Sequence, residues 1–170
     1  MLTLDEGLDK FLRIGNASAH VAVLGIGNDL YGDDAVGVRI ARELASRVGP
    51  RADCLVLDAG PAPENFTGPL RQFRPDLVLL VDAAHLSAEP GAVAWLDCEQ
   101  TDGLSGSTHA LPPSVLARFL VQELACRLAL LVIQPAQLDF GRPLSPAVND
   151  AADRVVDALA GALDGRRFAA

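Results

Sequence analysis

Residues 21–45 read VAVLGIGNDLYGDDAVGVRIARELA. The apolar run 21–24 is short enough for a buried strand, and the glycines that follow it allow the backbone to bend sharply. From residue 36 onward, apolar residues recur every four positions, which is typical of the buried face of a helix. The stretch therefore predicts a strand, a glycine-rich turn, the acidic pair Asp33 and Asp34, and a helix.

The acidic pair is predicted to lie at the helix N-terminus, beyond the carboxyl end of the strand, where open α/β sheets place their ligands. A dinucleotide-binding fingerprint, G-x-G-x-x-G, does not fit, because its third glycine would fall at Leu30 and two carboxylates would repel a pyrophosphate. One aspartate could simply cap the helix and interact with its dipole. Two in a row leave the other carboxylate for chemistry.

Charge and composition exclude several classes of partner. The chain carries a formal net charge of −8 and Lys10 is its only lysine, which argues against binding to nucleic acid or to an anionic membrane surface. No apolar run reaches the roughly 18 residues of a membrane span, and the acidic residues among the first 19 argue against a signal peptide. The cysteines form no C-x-x-C pair, which indicates a reducing compartment. We therefore expect a cytoplasmic protein.

The rest of the chain alternates apolar runs with helical patterns, which indicates an α/β fold. Residues 1–19 are interpreted as an N-terminal extension with a short amphipathic helix, in front of a single domain at 20–170. The connection before the run 92–96 is too short for a helical crossover, so this strand should be antiparallel to its predecessor. The other predicted strands are 53–57, 77–81 and 128–133, and the other predicted helices are 66–73, the segment after Pro112, and Ser145 to Gly165.

Three aspartates follow predicted strands: Asp34, Asp58 and Asp82. The carboxyl ends of parallel strands face one crevice, so these side chains should lie near one another. His109 belongs to the long polar loop 97–111, which could close over that crevice. Two carboxylates and one imidazole form a set of donors suited to Ni²⁺, Zn²⁺ or Mn²⁺, with a coordination position open for water or substrate.

These residues also have purely structural explanations. Asp58 precedes Ala-Gly-Pro and could only organise its turn. Ser107 and Thr108 could cap the region after them, which would make His109 incidental. Asp82 is harder to explain in this way, because it follows four apolar residues and a buried carboxylate needs a partner. His85 is close enough to it in sequence to be a spare ligand.

Four blocks of the sequence, in this order, resemble the [NiFe]-hydrogenase maturation endopeptidases: GIGNDLYGDDAVGVRIAREL, LDAGPAPEN, LLVDAAH and GSTHALP. The family's metal ligands are the second acidic residue of the first block, the aspartate of the third and the histidine of the fourth. Here these are Asp34, Asp82 and His109. The match runs from Val21 to Leu159, and VIQP with LSPAVNDAADRVVDAL is most similar to the subfamily that serves formate-hydrogenlyase-type enzymes, the hydrogenase 3 type.

The resemblance implies a three-layer α/β/α fold of the phosphorylase/hydrolase-like type, with a mostly parallel sheet of about five strands. It implies an endopeptidase that removes the C-terminal extension of the [NiFe]-hydrogenase large-subunit precursor after nickel insertion. The implied metal is Ni²⁺, either resident or carried by the substrate, with Zn²⁺ as another candidate. We also expect a monomer.

Within this interpretation, Asp34 and Asp82 are both metal ligands and catalytic residues. The hypothesis assigns Asp33, Asn28 and Asp58 to the surroundings of the site or to substrate binding. The metal could polarise the scissile carbonyl, or it could only position the substrate while a carboxylate acts as general base. Two other functions stay open: a nickel-binding maturation chaperone without proteolysis, and a generic metal-dependent peptidase.

Overall fold

The computed structural model describes residues 3–13, 19–97 and 113–167. In this part of the chain five strands form one sheet, in the order β2-β1-β3-β5-β4. The strands are β1 Val21–Ile26, β2 Cys54–Gly60, β3 Leu77–Ala83, β4 Val93–Asp97 and β5 Arg127–Ile133. The helices are α1 Leu4–Arg13, α2 Val36–Val48, α3 Thr67–Phe73, α4 Pro113–Leu124 and α5 Pro146–Arg167, and short 3₁₀ turns cover Gly32–Ala35 and Pro63–Phe66.

The sheet is mostly parallel, as the continuous apolar runs predicted. β1 pairs in parallel with β2 on one side and β3 on the other, and β3 pairs in parallel with β5. β4 is the antiparallel strand, with Val93 opposite Ile133 and Asp97 opposite Ala129. Its direction confirms the prediction, and its hydrogen-bonded neighbour is β5.

Two apolar cores lie on opposite faces of the sheet, because successive side chains of a strand point to opposite sides. Leu77, Leu79 and Val81 of β3 pack into the core under α1, α2 and α5. Val78 and Leu80 pack into the second core, under α3 and α4. The result is the three-layer α/β/α arrangement.

Helix α1 packs against β4 and α5. Thr3 and Glu6 form a reciprocal cap at its start: the Thr3 N–H donates to Glu6 Oε2 (3.0 Å) and the Glu6 N–H donates to Thr3 Oγ1 (3.3 Å). The indole N–H of Trp95 on β4 donates to the carbonyl of Leu4 (3.2 Å). Gly7 is needed beneath that ring, because a Cβ there would lie 2.1 Å from the indole.

One helix boundary differs from the prediction. The prediction that the last helix stops at Gly165 is wrong, since α5 continues to Arg167. A glycine inside a helix costs only about 1 kcal/mol relative to alanine, so Gly165 alone does not end α5. Across the three described ranges, no helix combines the length and apolar character that a membrane crossing requires.

Candidate active site

The acidic pair lies in the 3₁₀ turn Gly32–Ala35, one turn before α2 rather than in its first turn. Asp33 and Asp34 are both 0% exposed. Helix α2 takes Ala35 as its N-cap and has no side-chain cap, so the capping explanation for the pair is wrong. Asp34 Oδ2 instead accepts the backbone N–H of Asn28 (3.0 Å), which orients this carboxylate towards the loop after β1.

Glycines allow this turn to approach the sheet. Gly27 has φ +144°, and a Cβ on it would lie 1.8 Å from the carbonyl oxygen of Asp34. Gly37, in α2, sits so close to the strands that a Cβ there would lie 2.2 Å from the Val81 carbonyl and 2.3 Å from the Ile26 carbonyl. The start of α2 therefore rests directly on the ends of β1 and β3.

We expect Gly37→Ala to destabilise the protein by several kcal/mol, even though alanine favours a helix by about 1 kcal/mol. The added methyl must push α2 away from the backbones of β1 and β3, and it should separate Asp34 from β3. Gly161→Ala in α5 is the matched control, because nothing lies within 4 Å of that position. Urea unfolding followed by circular dichroism measures both, and equal stability of the two variants would contradict this close packing.

Asp82 is the last but one residue of β3 and is 1% exposed. It lies opposite Val132 of β5, on the sheet face that α3 and α4 cover. Its Oδ1 accepts the N–H of Ala83 (2.8 Å). The turn that carries Asp34 contacts β3, so the structure brings these two carboxylates to the same carboxyl edge of the sheet.

Asp33 has a different environment, because its carboxylate accepts four hydrogen bonds from the loop between β5 and α5. Oδ2 accepts the N–H of Ala136 (2.8 Å), the N–H of Gln137 (3.0 Å) and the hydroxyl of Ser145 (2.9 Å). Oδ1 accepts the N–H of Ser145 (2.6 Å). In return, the Asp33 N–H donates to the Gln137 carbonyl (3.0 Å). Asp33 therefore fastens the turn that carries Asp34 to the loop before α5.

Asp58 forms an ion pair at the surface. Its Oδ2 accepts a hydrogen bond from Arg42 Nε (2.6 Å), and its Oδ1 accepts the N–H of Gly60 (3.2 Å). Arg42 also donates to Asp29 (2.7 Å). The hydrogen bond to Asp29 is the largest cause that raises the pKa of its guanidinium, and the hydrogen bond to Asp58 is the second. The contact with Gly60 agrees with a turn-organising role, and the ion pair links the end of β2 to α2.

Gln134, directly after β5, is a buried polar residue for which the sequence suggested no role. Its Oε1 accepts the N–H of Leu86 (2.7 Å), and its Nε2 donates to the Pro135 carbonyl (2.9 Å). The same Nε2 lies 3.4 Å from Nδ1 of His85, whose side chain is exposed. Gln134 therefore holds the segment that leaves β3 just after Asp82.

The third predicted ligand, His109, lies outside the described residues. Inside them, no three His, Cys, Asp or Glu side chains are grouped closely enough to hold a metal ion. The donor chemistry still fits a divalent cation in part, because Asp34 and Asp82 are buried carboxylates on contacting elements. Two of the three predicted donors thus lie at the same edge of the sheet.

Comparison with known proteins decides the family. A family model described as HycI, hydrogenase maturation protease, matches residues 38–162. The chain belongs to the hydrogenase maturation protease family. The hydrogenase 3 maturation protease of Escherichia coli (strain K12) is 31% identical over 140 residues, which cover 82% of this chain and 88% of that relative.

Solved structures agree with this assignment. The crystal structure of a [NiFe] hydrogenase maturation protease, HycI, from Thermococcus kodakarensis KOD1 has a TM-score of 0.79 and 33% identity, covering 86% of this chain and 93% of that one. The solution structure of the endopeptidase HycI from Escherichia coli has a TM-score of 0.74 and 30% identity, covering 84% and 90%. The fold and the family expected for this maturation protease are therefore confirmed.

Proposed function

We propose that this maturation protease is the endopeptidase that removes the C-terminal extension of a [NiFe]-hydrogenase large-subunit precursor after nickel insertion. One observation carries the proposal: Asp34 and Asp82 are both buried, on contacting elements, at the carboxyl edge of the sheet. Open α/β folds place their active sites at this edge. The family and the endopeptidase among its relatives support the reaction class.

The proposed ligands of a divalent metal are Asp34, Asp82 and His109, with Ni²⁺ as the first candidate and Zn²⁺ as the second. Bound there, a divalent metal would supply positive charge that polarises a carbonyl group. The ion could equally enter with the precursor, in which case it is part of the substrate. Either way, two buried carboxylates at the same edge of the sheet favour a nickel-loaded precursor over one without the metal.

The chain's own residues would activate water as general bases. Each of the two carboxylates accepts a backbone N–H on one oxygen, which fixes its orientation: Asn28 donates to Asp34, and Ala83 donates to Asp82. A carboxylate so placed can take a proton from the water that attacks the carbonyl carbon. The C–N bond then breaks, and the proton passes to the leaving amine. On this basis we propose the aspartyl, metal-dependent subtype of peptidases.

We further propose a cytoplasmic monomer. The cysteines in the described ranges, Cys54 and Cys126, are buried thiols, which suits a reducing compartment. The net charge of −8 favours solubility and disfavours an anionic surface.

The decisive test is incubation of the purified chain with a nickel-loaded large-subunit precursor. We expect the precursor to lose its extension, seen as a mobility shift on a denaturing gel and as a mass difference confined to its C-terminus. The shift should depend on nickel in the precursor, because the carboxylate pair is proposed to engage that ion.

Two other outcomes separate the alternatives. A tight complex with intact precursor would identify a nickel-binding chaperone and contradict the proposed proteolysis. Cleavage of short, unrelated peptides at a similar rate would identify a generic metal-dependent peptidase. We expect neither, since the family model that matches the chain is described as a hydrogenase maturation protease.

A further inference from the structure

The loops after β1 and β5 carry three neighbouring apolar side chains, here called the apolar rim: the exposed Leu30 and Phe140 and the half-buried Tyr31. Phe140 is 71% exposed and Leu30 is 55% exposed, which makes them the two most exposed large hydrophobic residues in the described ranges. Tyr31 meets Phe140 edge to face, with ring centroids 5.6 Å apart. Contiguous exposed apolar side chains of this kind mark interaction sites more often than single ones do.

The rim is built from two loops that are far apart in sequence and are joined by a backbone hydrogen bond, in which the N–H of Gly141 donates to the Leu30 carbonyl (2.8 Å). Within the first loop, the N–H of Leu30 donates to Asn28 Oδ1 (3.0 Å). The four hydrogen bonds that Asp33 accepts from the loop between β5 and α5 also hold the two loops together. The rim is therefore fixed before any partner arrives, which lowers the entropy cost of binding.

The rim also lies next to the proposed site. Leu30 and Tyr31 lie between Asn28 and Asp34, whose backbone N–H and carboxylate are joined by a hydrogen bond. An open cleft of about 580 Å³ lies beside the rim, between α2 and residues 142–144. Its lining on the first loop and on α2 is mostly polar and consists of Asp29, Gly32, Ala35, Arg39, Arg42, Glu43 and Ser46. An extended chain that rests on the rim can continue along this cleft.

We infer that the apolar rim binds an apolar segment of the protein substrate next to the peptide bond that is cleaved. The inference rests on the proposed function, and it adds a class of residue that the substrate must present. Area argues for this occupant over a second copy of the chain. Because Phe140 and Leu30 are 71% and 55% exposed and Tyr31 is half-buried, the three side chains can bury about 300 Å² on each copy. Two copies would therefore bury about 600 Å² in total, whereas a stable interface needs about 1,000 Å² or more in total.

The test uses Leu30→Ser and Phe140→Ser in the full chain, with Phe119→Ser as the matched control. Phe119 is also exposed (43%), but it lies on α4. This helix covers the sheet face opposite to α2 and α5, the helices that follow the two rim loops. With nickel-loaded precursor as substrate, each rim variant should raise KM by about tenfold, as expected when one buried apolar contact is lost, and leave kcat within about twofold. The control should change neither constant. Urea midpoints by circular dichroism should match the parent, because both rim side chains are exposed.

Several results would overturn the inference. Unchanged KM in both rim variants would do so, as would a fall in kcat at constant KM, which would show that the rim acts only by shaping the Asp34 turn. A parent dimer that dissociates in Phe140→Ser, seen by sedimentation, would make the rim a contact between copies. If the parent binds precursor without cleaving it, the proposed function fails, and the dissociation constants of the same variants replace KM. A parent that neither binds nor cleaves overturns both.

Discussion

Asp82→Asn is expected to abolish precursor cleavage, with a fall in kcat of about 10²–10⁴-fold, the range for loss of a general base. The substitution keeps the side-chain shape and the oxygen that accepts the N–H of Ala83, so the fold should persist. It removes one of the two negative charges of the proposed ligand set, so a divalent ion there loses much of its electrostatic attraction. Calorimetric titration with Ni²⁺ should therefore show strongly reduced affinity, alongside an unchanged circular dichroism spectrum.

Asp58→Asn is the matched control, because it makes the same chemical change at another aspartate of the sheet edge. Its carboxylate belongs to a partly exposed ion pair with Arg42, and such pairs contribute little, so cleavage should change by less than about tenfold. His109→Ala, measured in the same way, should weaken Ni²⁺ and Zn²⁺ more than Mg²⁺, since imidazole prefers the former. If the Asp82 and His109 variants are folded and bind nickel like the parent, the proposed ligand set is wrong.

Asp33→Asn is expected to cause the largest loss of stability. The carboxylate accepts three backbone N–H groups and one hydroxyl, and an amide offers only one acceptor oxygen. With its oxygen in the place of Oδ2, asparagine leaves one buried donor, the Ser145 N–H, without an acceptor, at a cost of about 1–3 kcal/mol. The other three hydrogen bonds lose the negative charge that strengthens them, so a total loss of about 3–5 kcal/mol is expected. Because the free energy of unfolding of a whole domain is only about 5–15 kcal/mol, such a loss is a large share of it. Urea unfolding by circular dichroism measures the loss.

Two further variants calibrate this result. Ser145→Ala removes one of the four hydrogen bonds and should cost about 1 kcal/mol. Asp29 lies in the same loop as Asp33, but its side chain is 51% exposed. The Asp29→Asn substitution should therefore change the free energy of unfolding by less than about 1 kcal/mol. Equal urea midpoints for Asp33→Asn and the parent would show that Asp33 does not fasten the two loops.

The sequence predicted the parallel centre of the sheet because its signals are local. A run such as 77–81 is apolar at every position only when both faces are covered, and this is how β3 is buried. The direction of β4 also followed from a local fact, the short connection before it. Its partner could not be predicted, since pairing with β5 depends on which edge of the finished sheet stays open.

In the site, too, the residues with a local sequence signal were predicted and those without one were not. Asp34 and Asp82 were found as candidates because a carboxylate beside a glycine turn or after an apolar run is anomalous in the pattern. The contacts of Asp33 had no such signal, because its donors are mainly backbone N–H groups more than a hundred residues away. No pattern in the sequence singles out Arg42, and only the fold places it beside Asp58.

The packing of α1 has a consequence for spectroscopy. Trp95 is the only tryptophan of the chain; its indole is bonded to Leu4 and lies 6.0 Å from the ring of Phe11, both on α1. Intrinsic fluorescence of this protein therefore reports whether the N-terminal helix is docked, at the edge of the sheet that β4 forms. An emission shift during denaturation therefore records the release of that helix.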